Sequence, residues 1–267
     1  MVETLKLYLH YVSISIRSQM QYRASVIMMS FGQLLITLLE FATIRVLFER
    51  FGNLKGWSLH EVALFYGLIN ISYALSEGFA RGFDSFYLLV KSGEFDRVLL
   101  RPRSTVLQII GQEVQLRRIG RLGQGLVILW WASSSLDLAW PPEKLLLMIA
   151  AIAAGVCLFI GILILQATSC FWTTETLEVM NVLTHGGVFA AQYPISIYRA
   201  WFRNFFTYVA PLACIGYYPA LAILERSDPH GSVPFVHWLA PLAAVAFLII
   251  TLQVWHFGVR HYRSSGS

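Results

Sequence analysis

The sequence predicts an all-α membrane protein: six transmembrane helices, an N-terminal interfacial amphipathic helix, and a re-entrant hairpin before the last span. Three observations predict it. Hydrophobic residues make up 57% of the 267 and charged residues 13%, about half the charge of a soluble domain. Stretches free of Asp, Glu, Lys and Arg recur at 24–39, 62–76, 122–136, 145–174, 179–198, 204–224 and 229–259. These runs are continuously apolar rather than alternating, which argues against a closed barrel.

The elements follow in order. In residues 1–23, Leu5, Leu9, Val12 and Ile16 recur at helical spacing between Lys6, Arg17 and Arg23. That pattern predicts a helix lying in the membrane interface, and no cleavable leader is read there. A span needs about 20 apolar residues, which places spans near 24–48, 60–80, 118–136, 145–172, 178–197 and 236–258. The short runs are extended by a turn carrying Glu40, Glu77 or Arg121, charges that can snorkel or face other helices. Residues 199–225 hold Pro211 and Pro219, each a helix breaker, and this stretch is expected to enter and leave by one face; a kinked seventh span is the alternative. With six spans, one face collects 13 of the 20 basic residues, among them Lys6, Arg97, Arg103 and Arg260. The other collects Arg50, Lys55, Lys144, Arg199, Arg203 and Arg226. The positive-inside rule then puts both termini in the cytoplasm.

Several chemistries are excluded or thin. A Walker-type phosphate loop needs a lysine after glycine, but Lys6, Lys55, Lys91 and Lys144 follow Leu5, Leu54, Val90 and Glu143. Cys157, Cys170 and Cys214 lack metal-site spacing and read as packing residues, and the seven histidines form no paired motif. His185, beside Gly186 and Gly187, reads as a histidine satisfied within the bundle. No catalytic residue and no metal ligand is assigned.

One segment reads as a machine part. Between the second and third spans, residues 81–104 mix charge with apolar positions: Phe83, Phe86, Tyr87 and Val90 predict a short amphipathic helix that Gly93 ends. Glu94, Phe95, Asp96 and Arg97 follow, an aromatic between charges, before Arg101-Pro102 stops the next turn. Such a segment suits a groove on a soluble partner, with an apolar anchor for affinity and charges for register.

The run Lys91-Ser-Gly-Glu-Phe-Asp-Arg-Val-Leu-Leu-Arg-Pro-Arg103 resembles the cytoplasmic coupling segment of type-2 ATP-binding-cassette (ABC) exporter permeases. The likeness is to the bacterial branch with a Gly-x-Phe/Leu-Asp-x-x-Leu-x-x-Pro pattern after the second span. Pro211, Tyr217, Tyr218 and Pro219 resemble that branch's re-entrant region. The resemblance implies a single permease domain over 1–267 in a bacterial inner (plasma) membrane, pairing with a second permease, identical or related. It further implies two ABC ATPase subunits that bind ATP and Mg in place of this chain, gripping Gly93, Glu94, Phe95, Asp96, Arg97, Arg101 and Pro102. A substrate path would run along the first, second and fifth spans, where Gln33, Thr37, Asn70, Asn181, Thr184 and Gln192 are polar residues in apolar helices. An ion-gradient-driven secondary transporter and an intramembrane enzyme are the competing readings. The first wants a midplane acid and an internal repeat, the second convergent catalytic side chains.

Overall fold

A computed structural model describes residues 2–136, 138–173 and 178–264. The junction expected between the fourth and fifth spans, and the last residues of the chain, fall outside them. Among the described residues the secondary structure is helical apart from one isolated bridge between Leu54 and Trp57. Four helices among the described residues are long and apolar enough to cross a membrane, or five if one bent pair counts as a single span.

Helix α1 (Val2–Met20) precedes α2 (Arg23–Phe51) and α3 (Leu59–Asp84). Three short helices follow, α4 (Phe86–Lys91), α5 (Phe95–Leu99) and α6 (Thr105–Ile110), then α7 (Ile119–Ser135) and α8 (Pro142–Thr173). The remainder is α9 (Glu178–Asn181), α10 (Gly187–Ala191), α11 (Ala200–Asn204), α12 (Tyr217–Ile223), α13 (Pro234–Leu239) and α14 (Pro241–His261).

The first, second, fourth and last expected spans correspond to α2, α3, α8 and α14. The third corresponds to α7, whose 17 residues reach about 25 Å at 1.5 Å each, the short end of what a span needs. The fifth is interrupted. A wider turn over Val182–Gly186 separates α9 from α10, and the helix stops at Ala191 instead of 197 because Pro194 disfavours helical backbone before it and offers no donor.

Helix α3 is the axis of the bundle: its side chains from Val62 to Ala74 are buried on all sides. Its start is set by a capping box, in which Ser58 Oγ accepts from the Glu61 N–H at 3.3 Å and Glu61 Oε2 from the Ser58 N–H at 2.7 Å. It packs against α7 and α8, and α8 packs along α14. Gly67 lies directly on Leu129, where a Cβ would come within 2.7 Å of the leucine side chain. Only glycine allows that helix approach.

The loops at one end of the bundle are tied by charge. Arg226 donates to Glu61 Oε1 and to the Gly56 carbonyl, both at 2.7 Å, with its guanidinium 4.1 Å from the Trp57 ring. Lys144 meets Glu225 at 2.6 Å, and Lys55 donates to the Ile197 carbonyl at 2.9 Å. Segment 199–225 has both its ends here. Arg203 lies 2.8 Å from His230 at its entry, Arg226 follows its exit, and between them the chain bends by 74° at Ala210-Pro211. At the opposite end lie α1, α4–α6 and the C-terminal turn of α14.

Candidate functional site

The segment 81–104 is built into the bundle. Phe83 ends α3 facing Trp255, and α4 turns Phe86 and Val90 inward, as their spacing predicts. Gly93 adopts φ +70°, the left-handed value that lets the chain reverse into α5. α6 returns against α3, where Gly82 abuts the Ile109 carbonyl with no room for a Cβ.

Phe95 corrects the expectation. It is 0% exposed, so it is not an apolar anchor offered to a partner. Its ring lies 5.0 Å from Phe86, 5.5 Å from Phe171 and 4.9 Å from Tyr262, mostly edge to face. Trp255 closes the cluster at 5.0 Å from Phe86 and 5.1 Å from Phe171, and its Nε1 donates to Thr105 Oγ1 at 3.0 Å. A six-residue helix followed by a five-residue helix has too few turns to define a face, so the sequence could not tell which way Phe95 points.

The seat therefore joins α3, α8 and α14 through one set of rings. Polar contacts fix its rim. Gln108 donates to the Val98 and Arg103 carbonyls at 3.1 and 3.2 Å, Gln166 to Asp84 at 3.0 Å, and Ser264 to Asp96 at 2.7 Å. Burial, then the neighbouring Asp96, pushes the Tyr262 hydroxyl above its ordinary pKa. The outer surface of the segment is different in kind. Glu94, Arg97, Arg101 and Pro102 are exposed, Asp96 and Gly93 partly so, and Leu100 stands 85% exposed beside exposed Leu99. The apolar tip of this surface is thus Leu99-Leu100.

The expected path residues are drawn into the packing between helices of this chain. Thr37, Asn70, Thr184 and Gln192 are buried, while Gln33 and Asn181 are half-buried. Thr37 donates to the Gln33 carbonyl at 3.0 Å and Asn70 to the Tyr66 carbonyl at 2.8 Å, so both hydroxyl and amide return to their own helices. His185 also departs from expectation: it is exposed, with Nδ1 3.2 Å from Thr184 Oγ1.

Sequence reasoning missed a buried ionic network among α2, α3 and α7. Arg118 donates to Glu77 Oε1 at 2.7 Å and to Gln33 Oε1 at 3.3 Å. Arg121 reaches Glu40 at 3.4 Å, and Gln124 donates to the Thr37 carbonyl at 2.7 Å. Glu77 is 2% exposed and is paired with Arg118, so removing either partner would leave an uncompensated buried group. The signal was present: Arg118, Arg121 and Gln124 recur every third residue, which aligns Arg118, the residue before α7, with Arg121 and Gln124 on one stripe of it.

A family model described as ABC-2 family transporter protein matches residues 34–266. No curated protein and no solved structure matches the chain.

Proposed function

The chain belongs to the ABC-2 family of transporter proteins, and on that premise we propose that it is the permease subunit of an ATP-driven exporter in a bacterial inner membrane. Two copies, or this chain and a related one, form the substrate path, and two separate ATPase subunits bind ATP and Mg. In this reading the bundle crosses the membrane six times with both termini cytoplasmic. Helices α7 and α9–α10 supply the third and fifth crossings, and 199–225 is a hairpin that enters and leaves on the outer side.

One observation carries the reading: a charged surface tipped by Leu99-Leu100 stands on an aromatic seat shared by three long helices. A partner that grips the surface moves α3, α8 and α14 together, because close-packed interiors transmit displacement instead of absorbing it. The ATPase biases the path only as far as it binds one permease conformation more tightly than the other. The work of this chain is non-covalent, with coupling falling to Gly93, Glu94, Asp96, Arg97, Arg101 and Pro102 at the surface and Phe95 beneath it.

Reconstitution tests the proposal. Vesicles holding the chain with a cognate ATPase move cargo on ATP addition, and vesicles holding the chain alone do not. Cargo movement by the chain alone, unaffected by nucleotide and driven by an ion gradient, would return the protein to the secondary transporters.

A further inference from the structure

A groove of about 770 Å³ lies between α1, the start of α2 and the loop 111–117. Its shape is fixed: the Val114 N–H donates to Ser15 Oγ at 3.1 Å and the Leu116 N–H to Gln19 Oε1 at 3.2 Å, so α1 is clamped to the loop. One wall carries Glu113, Gln115 and Arg117 in a row. Gln115 stands between the charges, donating to Glu113 Oε1 at 3.0 Å and accepting from Arg117 Nε at 2.9 Å. The carboxylate and the guanidinium are thereby held apart, and among the described residues neither forms an ion pair with another side chain.

From this wall we infer that the groove binds a glycerophospholipid with a zwitterionic headgroup of the phosphoethanolamine type. Arg117 takes the phosphate through its terminal nitrogens and Glu113 takes the ammonium through its remaining oxygen, a dipole matched to a dipole. The rest of the lining says why the occupant is a lipid and not a soluble phosphoamine. Ile14, Val26 and Met29 form an apolar limb, and Ile36, two turns beyond Met29 on the same face of α2, is exposed as well. Acyl chains would follow that face while the headgroup stays among the polar groups at the interface, where an amphipathic α1 lies. The inference needs only that α1 sits at the interface and α2 enters the bilayer. It does not depend on an ATPase.

Native mass spectrometry of the full-length chain, released from detergent with added phosphatidylethanolamine or phosphatidylglycerol, tests it. The wild-type chain is expected to retain phosphatidylethanolamine in preference. Arg117→Gln should lower retention of both lipids about tenfold, the scale of one lost charge-assisted hydrogen bond, and Glu113→Gln should lower phosphatidylethanolamine alone and erase the preference. The wild-type preference is read without any substitution, so it decides the matter even where a variant misfolds. Equal retention of the two lipids by wild type, or unchanged retention in both folded variants, overturns the site. Displacement of lipid by equimolar soluble phosphoethanolamine overturns the lipid as occupant. None of these outcomes touches the transport reading, whose test needs cargo and nucleotide.

Discussion

At the end of the bundle that carries α4–α6, Phe86, Phe95, Phe171 and Trp255 meet ring to ring. At the opposite end, Arg226, Lys144 and Asp228 hold the loops by directed charge contacts and hydrogen bonds. The contrast teaches how each end can move. Apolar packing has no preferred direction, so the aromatic seat shifts as a block. An ion pair breaks in a discrete step when one partner is displaced or neutralised, so the loop end opens contact by contact. Between them lies the Glu77–Arg118 pair, ionic like the loops but buried like the seat.

The sharpest way to break the comparison is to empty the seat. Phe95→Ala is expected to cost about 3–5 kcal/mol, the usual range for truncating a buried ring, and to lower the thermal midpoint of the detergent-solubilised chain. Phe95→Leu should recover most of it. A loss no larger than that of an exposed substitution would mean that the rings are not joined as described.

The buried pair comes next. Glu77→Gln leaves Arg118 with an amide oxygen in place of a carboxylate, for an expected cost of about 1–3 kcal/mol. Adding Arg118→Gln should restore part of that loss, because the unpaired buried charge is then gone. A double variant less stable than the sum of the two singles would contradict the pairing.

The smallest effect tests the loop end. Burial works against the charge on Asp228, but hydrogen bonds from Ser232, the His230 N–H and the Tyr217 hydroxyl outweigh it and hold the carboxyl below its ordinary value of 3.8. A lowered folded-state pKa stabilises fully above the ordinary value and is lost as pH falls through the lowered one. Asp228→Asn should therefore flatten the acid limb of the stability curve below about pH 4, and only slightly, because the carboxyl is largely solvated and its contacts are screened. An equal acid limb in wild type and variant would remove Asp228 from the account.

Much of this architecture was legible in the residues. Uncharged runs mark α2, α3, α8 and α14 because burial in lipid demands length, while Gly93 marks a chain reversal and Pro211 a 74° bend where helical backbone cannot continue. The short helices were less legible. The inward turn of Phe95 depends on rings supplied by Phe171, Trp255 and Tyr262, far off in the chain, and no local period encodes that meeting. The partners of Glu40 and Glu77 were hidden for the same reason. Each acid looked like a charge near a span end until Arg118, just before α7, and Arg121 within it were placed beside the pair. Leu99 and Leu100 stood out only after Phe95 was found inside, which left them, with Leu88, as the apolar part of the outer surface.

The central claim is that a separate ATPase grips this outer surface, and its affinity for the full-length permease in nanodiscs tests that most directly. Leu100→Asp is expected to weaken ATPase binding about 30-fold or more, as loss of an interface hot spot does, while the thermal midpoint stays at the wild-type value because Leu100 is 85% exposed. Wild-type affinity in that variant would contradict the account.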